Sequence, residues 1–538
     1  MPNSAFLTSS VAAAYYSSPI YGLPFVTVGP TGSSGTNYGP FTPGTTTNGF
    51  QEAEQALTGG GTIVALPGVY GTQAAPVFVG NSNINFVFSA GAILSLPAND
   101  NWASPVVPTG SRMPMFILQN CSNITVKGGQ FTQVTGGSSV LGTVWCVANN
   151  VTNVCISGGT YTNITDFPIL TTCYYNGTTG AVTEITSAFN TFTNCGNTVT
   201  PDGGGVRFGN QSSGAVVLSK VRSVHDTITN PGCFGIDVQN GTATAGQITD
   251  VLIDHPIVVM TAAVLPQRIG VYIEKPVASA TWGTNNVTVV EPHVTGGYHC
   301  MMVEGGTTYV DIQGGVCTGS WRSPLMLQAP NAGTTLSHVT VSGGHYLDGG
   351  QSGSTSDAGI EIGSIVSTDA GTISDITIEG VHCTDDQTSK TQAYGIGFIN
   401  TVAGSLTIQN VTVLSGDCIG NKTASIKFNA TSGTVSSVNV VGWVLGYNPV
   451  GMLTAPFVAS SNSVGIPGGG AASPVSATTY TVRGALLYIT GAATTSITVT
   501  DAASNTIFVG TAITAYPLYP GYTITAVGSM SSWSTIAA

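Results

Sequence analysis

Short runs of alternating apolar and polar residues recur along this chain of 538 residues. The clearest copy is Asn123-Ile-Thr-Val-Lys-Gly-Gly-Gln-Phe131, and further copies begin at Asn153, Tyr309, His338 and Asp375. Alternation over so short a run predicts a half-buried β-strand. The glycine that follows predicts a bend, because glycine adopts backbone angles that a residue with a Cβ resists.

Looser copies fill the intervals between these runs, so that the first apolar position recurs at intervals of about 30 residues, the period typical of repeat proteins. A steady period with a variable excess is expected of stacked strands whose turns differ in length. The sequence therefore predicts an all-β, parallel β-helix of about 12 coils, stacked at about 4.8 Å. The first apolar positions are Ile84, Ile124, Val154, Ile185, Val221, Val251, Val287, Val310, Val339, Ile376, Leu406 and Val438.

A second apolar run recurs in each predicted coil, as in Gly205-Val-Arg-Phe208 and Gly270-Val-Tyr-Ile273. It predicts a second strand per coil. The interior should then hold columns of Val, Ile and Leu, with aromatic residues such as Phe131, Tyr161 and Phe192 stacked above one another.

The two ends of the chain differ from this pattern. Residues 1–47 are rich in Pro, Gly, Ser, Thr and Tyr and are interpreted as an arm or attachment segment. Residues 48–455 are predicted to form the β-helix with an N-terminal cap, and residues 456–476 to form a linker. Short alternating runs over residues 477–538 predict a small antiparallel β-sandwich.

The start of the predicted β-helix has a recognisable order of elements. A helix is expected over residues 48–58, with Asn48 capping its first turn. Gly59-Gly-Gly61, a strand over Thr62–Leu66 and the turn Pro67-Gly-Val-Tyr70 follow it. This order resembles right-handed parallel β-helix proteins of the pectin-lyase-like superfamily, which include polygalacturonases, pectate lyases and many virus tailspikes. The resemblance implies a right-handed coil closed by a short capping helix.

Composition narrows the function classes. Only 7% of the residues are charged, and the net charge is −12 with 12 basic residues. Nucleic-acid binding is not expected, because no basic cluster is present to neutralise phosphates. No apolar run reaches the length of a membrane span. The ten cysteines lack the CxxC spacing of a zinc site and are interpreted as buried free thiols. No cofactor is predicted.

Polar residues concentrate on one outer face of the predicted second strand. The chain contains 24 acidic residues, so four on a single face form a concentration. The residues of this face, coil by coil, are Arg207, Asp237 with Gln239, Tyr272 with Glu274, Met302 with Glu304, Met326 with Gln328, and Glu361.

Glu274 and Glu304 are predicted to be neighbours on adjacent coils. Two carboxylates so close cannot both ionise cheaply, which suits a general acid facing a base or nucleophile. The candidate catalytic residues are Asp237, Glu274, Glu304 and Glu361. The candidate substrate-binding residues are Arg207, which can hold the carboxylate of an acidic sugar, Tyr272, which can stack on a sugar ring, Gln239 and Gln328. The alternative is a polar ladder on a solvated face, with Met302 and Met326 covered by a loop or a neighbouring subunit.

Family motifs do not support pectin chemistry. The nearest pieces to the polygalacturonase motifs are Arg268-Ile-Gly270, Gly344-His345 and Asp385-Asp386, and each departs from the family pattern. His345 and His382 are predicted to occupy the same place on consecutive coils, with His293 two coils below His345. They are interpreted as turn histidines, with a metal column as the alternative.

The function expected from these features is a virion or cell-surface attachment spike that recognises host-surface polysaccharide or glycoprotein. It is expected to be extracellular and homotrimeric, with other virion proteins as further partners through residues 1–47. One alternative is a polysaccharide-cleaving glycoside hydrolase or lyase on the same scaffold. The other is a structural surface or filament protein.

Overall fold

A computed structural model describes the strands and turns that carry the repeat. The described residues are 24–30, 47–97, 112–134, 141–172, 180–196, 203–210, 217–240, 247–261, 268–274, 283–354, 357–364, 370–400, 406–430, 434–444, 451–454, 463–465, 478–481, 487–500, 506–518, 523–527 and 530–537.

The repeated alternating runs form the first ladder, in which each strand pairs in parallel with the equivalent strand of the next coil. The predicted right-handed parallel β-helix is confirmed. The described strands of this ladder are Phe25–Val28, Gly61–Ala65, Ile84–Phe88, Cys121–Lys127, Val151–Ser157, Val182–Ala188, Val217–Val224, Gln247–Asp254, Thr284–Val290, Thr307–Gln313, Thr335–Ser342, Thr372–His382, Thr407–Asp417, Thr434–Val444 and Ser463–Gly465.

Two further parallel ladders complete each coil. The second ladder contains Gly68–Thr72, Ala92–Leu96, Gln130–Gln133, Thr160–Thr162, Thr191–Thr193, Thr227–Thr229, Ile257–Met260, His293–Gly296, Val316–Thr318 and His345–Leu347. The third ladder contains Val77–Val79, Arg112–Leu118, Leu141–Val147, Ile169–Thr172, Gly204–Asn210, Phe234–Asn240, Ile269–Glu274, His299–Glu304, Leu325–Gln328, Ala358–Ser364, Tyr394–Asn400, Ala424–Ala430 and Gly451–Thr454. The third ladder is the second strand predicted from the sequence.

The predicted register holds along the first ladder with one exception. Val154 lies between Ile124 and Ile185, as expected. Leu406 was expected to follow Ile376, but Val411 is the residue that pairs with Ile376. Leu406 is also fully buried and apolar. The apolar character of Leu406 and Val411 is therefore not enough to tell which of them aligns with Ile376. Only the strand pairing shows it.

The first-ladder strands share a left-handed residue immediately before the first apolar position. Asn123 and Asn153 have φ of 57° and 58°, and Asp250 and Asn286 occupy the same place with φ of 58° and 57°. Asparagine and aspartate tolerate this region better than most residues with a Cβ. Their side chains then meet along the outside of the coil, because Asn153 Nδ2 donates to Asn123 Oδ1 at 2.9 Å. The fold thus repeats a strained backbone position and joins its side chains into an outer ladder.

Replacing Asn153 with alanine should lower the free energy of unfolding by about 1–2 kcal/mol, since the left-handed φ then lacks a tolerant side chain and the hydrogen bond to Asn123 is lost. Asn153→Gly should cost less, because glycine adopts this φ without steric penalty. Urea unfolding of the two variants measures the difference. A larger loss for the glycine variant would contradict the backbone explanation.

The core lies inside the coil and is built from columns of like residues. Phe131, Tyr161 and Phe192 stack with ring centroids 5.1 Å and 4.9 Å apart. Trp145 stacks on Phe116 at 4.3 Å. Offset stacking of this kind adds to the free energy of burying large aromatic rings. The predicted aromatic column is confirmed.

The capping helix α1 (Phe50–Ala56) packs Phe50 and Ala53 against the first coil. Asn48 was expected to cap it, but the residue before the helix is Gly49 and no side chain caps the first turn. Asn48 Nδ2 instead donates to Gly71 O at 2.8 Å. Asn48 itself has φ of 55°, which is not the extended conformation of a capping residue.

Both ends of the chain carry described strands. Phe25–Val28 lies within the segment predicted as an arm and pairs with Gly61–Ala65. Near the C-terminus, Leu487–Thr500 pairs antiparallel with Thr506–Leu518, Thr523–Val527 and Met530–Ala537. Thr478–Thr481 pairs with Thr523–Val527. The antiparallel pairing agrees with the β-sandwich prediction, and the packing of two sheets stays a prediction.

Candidate functional site

The third ladder aligns the predicted outer face in one column. Arg207 lies opposite Asp237, and Asp237 opposite Tyr272. Met302 follows Tyr272, and the column continues through Met326 to Glu361. The sequence-predicted order of these residues is therefore the spatial order.

A parallel column lies two residues further along the same strands. Gln239 lies opposite Glu274, and Glu304 lies opposite Gln328. Ile273 pairs with Val303, which places Glu274 and Glu304 on adjacent coils. We call these two columns, from Arg207 to Glu361, the acid ladder.

The acid ladder is buried, which corrects the alternative of a solvated face. Asp237 has no exposed surface, Glu361 is 1% exposed, and Glu274 and Glu304 are 5% and 6% exposed. Tyr272, Met302 and Met326 pack with Ile269 and Phe234 in an apolar cluster separate from the main core. Alternation predicted which side of the strand these residues face, but it cannot predict whether that side is covered.

An ion pair closes one end of the acid ladder. Arg207 Nε donates to Asp237 Oδ2 at 2.6 Å, and both side chains are buried. The guanidinium lies over the ring of Phe167, 4.3 Å from its centroid. Next to this pair, the ring of Phe234 stacks on Tyr272 at 4.9 Å. Arg207 therefore binds a carboxylate of this chain through Nε, and its role towards an acidic sugar stays a prediction.

Glu274 stands at the centre of the acid ladder with a perturbed carboxyl group. Burial, and then the charges of Asp237 and Glu304, raise the pKa of Glu274 to about 8. The side chain of Gln239 donates a hydrogen bond to it. Burial, and then the charges of Glu304 and Glu274, also raise the pKa of Tyr272 well above 10. Glu274 is therefore largely protonated at neutral pH.

The amide of Gln328 completes the centre. Its Nε2 donates to Glu304 Oε1, so each central carboxyl group receives one hydrogen bond from a glutamine on a neighbouring coil. Gln239 and Gln328 thus each contact one of the two acids, and their binding of a substrate stays a prediction. Glu274 and Glu304 lie on adjacent coils, whose backbones are spaced by about 4.8 Å. The geometry can support a general acid beside a carboxylate.

Glu361, at the other end, belongs to a network that the sequence did not predict. Ser323 Oγ donates to Glu361 Oε2 and accepts from the backbone N–H of Ala358. Burial raises the pKa of Glu361 to about 7. His299 Nδ1 donates to Ser323 O at 2.7 Å, and burial lowers the pKa of this histidine to about 4. His299 and Ser323 precede the apolar runs, and no spacing in the sequence marks them as neighbours of Glu361.

The family-like motif pieces have structural roles. Arg268 is buried, and its Nε donates to Gly232 O at 3.4 Å. Asp385 Oδ2 accepts from the backbone N–H groups of Thr391 and Gln392. Asp385 therefore holds its own loop together.

The predicted histidine register is confirmed. His345 pairs with His382, their rings stack at 4.7 Å, and Val316 lies between His345 and His293. An apolar residue thus interrupts the proposed metal column. His382 Nδ1 lies 2.6 Å from Asp417 Oδ2.

No family model and no curated protein matches the sequence. Among solved structures, the chain is similar to tailspike protein 3 of bacteriophage CBA120, at 11% identity over 85% of this chain and 66% of that protein, with a TM-score of 0.45. It is similar to a tailspike protein of E. coli bacteriophage HK620 in complex with a hexasaccharide, at 14% identity over 90% and 88% of the two chains, with a TM-score of 0.43. It is also similar to PfbA, a surface adhesin of Streptococcus pneumoniae, at 12% identity over 77% and 89%, with a TM-score of 0.41. This chain spans 66% of the length of the CBA120 tailspike.

In the part of the chain that the structure describes, no helix has the length and apolar character needed to cross a membrane.

Proposed function

We propose that this protein is an extracellular attachment spike whose third-ladder flank recognises host-surface glycans through the acid ladder. The observation that carries the proposal is the pairing of Gln239 with Glu274 and of Gln328 with Glu304 beside Tyr272. Sugar hydroxyls both donate and accept hydrogen bonds, so a carboxyl and amide array offers complementary partners for them. An aromatic ring beside that array supplies an apolar face.

The exposure of the acid ladder favours a glycan contact at its centre. Tyr272 and Gln328 are 8% and 9% exposed, whereas Asp237 at one end and Glu361 at the other are at most 1% exposed. A glycan would therefore reach Tyr272, Glu304 and Gln328 before either end. The two ends of the acid ladder are engaged in contacts within this chain, the Arg207–Asp237 ion pair at one end and the Ser323–Glu361 hydrogen bond at the other. In this proposal they hold the strands of the central residues in place.

Cleavage of the bound polysaccharide is the second candidate function. The specific observation in its favour is the pKa of Glu274, which is raised to about 8 on the coil adjacent to Glu304. A carboxyl group that keeps its proton at neutral pH can protonate a glycosidic oxygen, and a neighbouring carboxylate can act as the nucleophile or base. In this assignment Glu274 is the general acid and Glu304 is the carboxylate.

Glu304→Gln should weaken glycan binding by at least tenfold, because it replaces a carboxyl group that accepts from Gln328 Nε2 with an amide of different hydrogen-bonding capacity. Glycan-array binding followed by titration with the bound glycan measures the effect. Glu379→Gln is the matched control, since Glu379 lies exposed on the first ladder and should bind as the unmodified protein does. Equal binding by Glu304→Gln and the control would contradict the proposed site.

Glu274→Gln, compared with the same control Glu379→Gln, separates binding from cleavage. Release of reducing ends or unsaturated sugars from host polysaccharide, lost in Glu274→Gln and retained in Glu379→Gln, would assign the cleaving function. Binding without release assigns attachment. Binding to no glycan would favour a structural surface or filament protein instead.

The assembly proposed for the spike is a homotrimer, with residues 1–47 joining it to other virion proteins and residues 477–538 forming a separate C-terminal domain after a linker. Light scattering of the intact chain tests the first point, because a monomeric mass would contradict the trimer. Limited proteolysis tests the second, since cleavage within 466–476, after the first-ladder strand Ser463–Gly465, should release a stable fragment.

A further inference from the structure

One column of turn residues along the β-helix departs from the repeat, and it lies outside the proposed glycan site. The first glycine of the repeated phrase is left-handed, with φ of 73° at Gly128, 66° at Gly158 and 64° at Gly314. Each of these glycines donates its backbone N–H to the end of the first-ladder strand in the next coil. Between Gly158 and Gly314, the same backbone position is occupied by Phe189, His225, His255 and Glu291.

These four residues keep the left-handed backbone that glycine adopts easily. Their φ values are 55°, 52°, 48° and 44° in that order. A residue with a Cβ is strained in this region, and large side chains are rare there. Four consecutive coils therefore carry side chains between coils that use glycine at this position, and two of those side chains are imidazoles.

The two imidazoles converge with a carboxylate. The rings of His225 and His255 lie 4.9 Å apart, and His255 Nδ1 lies 2.6 Å from Asp254 Oδ1. One ligand atom from each of His225, Asp254 and His255 lies within 4.8 Å of the other two, and no other His, Cys, Asp or Glu set among the described residues meets this criterion. Asp254 ends a first-ladder strand, so strand pairing fixes its place beside the histidine of the preceding coil, since His225 N donates to Asp254 O at 2.8 Å.

We propose that His225, Asp254 and His255 form a binding site for a divalent transition-metal ion, with zinc the ion best suited to two imidazoles and one carboxylate. Asp254 Oδ1 and His255 Nδ1 lie 2.6 Å apart, so both atoms can face one ion together with a ring nitrogen of His225. Zinc bound to imidazole at about 2.0–2.1 Å needs its ligand atoms nearer than 4.8 Å. Rotation of the side chains closes this gap, because the side chains of His255 and Asp254 are 41% and 28% exposed.

The neighbours of the site limit it to these three ligands. Phe189 stacks on the ring of His225 at 5.2 Å and covers it on one side. On the other side, Glu291 Oε2 accepts from the backbone N–H of Gly315 at 2.9 Å. This carboxylate is therefore already hydrogen-bonded to the backbone of the neighbouring turn. Three protein ligands leave a position for water or for an outside ligand. The site lies on a turn beside the first ladder, whereas the acid ladder lies on the third, so the two proposals are independent.

Titration calorimetry of the full chain with zinc chloride, after removal of metals with a chelator, tests the site. We expect one zinc ion per chain, with binding weakened at least tenfold in His225→Ala and in His255→Ala. Cobalt(II) in place of zinc should give the visible absorption of a low-symmetry site, which is absent in both variants. Zinc should also raise the melting temperature of the unmodified protein and of neither variant.

His382→Ala is the matched control. His382 also stacks on a histidine and contacts an aspartate, yet that group does not bring three ligand atoms within the same distance. Zinc binding should therefore be unchanged in this variant. The proposal is overturned if millimolar zinc does not bind, if His225→Ala binds as tightly as the unmodified protein, or if His382→Ala abolishes binding instead. The substituted histidines are on turns, so we expect each variant to fold. The melting temperatures of the metal-free variants check this.

Discussion

The protein should become more stable as the pH is lowered from about 8 towards about 6.5. Burial raises the pKa of Glu274 from an ordinary value of 4.5 to about 8, and that of Glu361 from 4.5 to about 7. A folded state with a raised carboxyl pKa takes up protons that the unfolded state does not bind. The stability linked to each group is therefore fully present below the unfolded pKa and is lost as the pH rises through the folded pKa.

The expected size is large, since each pKa unit corresponds to about 1.4 kcal/mol of differential stability. Together the two acids should change the free energy of unfolding by a few kcal/mol between pH 8 and pH 4.5, on an order-of-magnitude scale. Asp226, fully buried with a pKa raised to about 6 by burial, extends the same trend towards lower pH. Thermal melting and urea unfolding across this pH range measure it.

One buried histidine opposes the trend. Burial lowers the pKa of His299 from 6.5 to about 4, so below pH 6.5 the unfolded state takes up a proton that the folded state does not. The stability linked to His299 is lost as the pH falls from 6.5 through 4. His299 therefore cancels the proton uptake of one acid below pH 6.5, and the rise continues there because Glu274, Glu361 and Asp226 together outweigh it.

Glu274→Gln provides the sharpest comparison, because the amide resembles the protonated acid and does not titrate. In this variant the rise between pH 8 and 7 should disappear, while the rise linked to Glu361 persists. Unmodified protein whose stability is constant, or falls, as the pH is lowered from 8 to 6.5 would rule out protonated buried acids in the acid ladder.

Arg207→Met should lower the free energy of unfolding by about 3–5 kcal/mol, because it leaves the buried carboxylate of Asp237 without its ion partner. Arg207 and Asp237 are 4% and 0% exposed, and the bond between Arg207 Nε and Asp237 Oδ2 is 2.6 Å long. The variant also loses the contact of the guanidinium with the Phe167 ring. Urea unfolding at constant pH gives the difference.

Lys220→Met is the matched control for the ion pair. Lys220 Nζ lies 2.9 Å from Glu184 Oε1, but the two side chains are 55% and 45% exposed. Solvent screens such a pair, so its loss should cost less than about 1 kcal/mol. Replacing Asp237 with leucine in the Arg207→Met protein should recover part of the stability, because no buried charge then remains. Equal losses for Arg207→Met and Lys220→Met would show that the acid ladder is more solvated than its geometry indicates.

The sequence predicted the fold because each coil repeats the same local rules. The alternation in Asn123–Phe131 is enough to assign inner and outer positions, and glycine marks the bends. The one error of register, Leu406 in place of Val411, arose where the long strand Thr407–Asp417 carries several inward apolar residues. Strand pairing selects among them, and pairing partners about 30 residues apart cannot be read from either strand alone.

The candidate site was predicted in its order but not in its environment. Arg207, Asp237, Tyr272 and Glu361 share the expected column, yet the face is buried and its polar groups bind one another. Whether the outer face of a strand is buried depends on what packs over it, and that is decided by the folded chain rather than by the strand itself.

The sequence by itself determined the winding of the chain, the side of each strand that a residue faces and the alignment of the acids, because these follow from a period of two within strands and a near-constant coil length. Only the tertiary structure decided that the acids are buried and perturbed, that Ser323 contacts Glu361 and His299 contacts Ser323, and that His225 meets Asp254 and His255. The physical reason is that burial and the contacts between coils depend on turns of unequal length, which bring together residues that no local pattern connects.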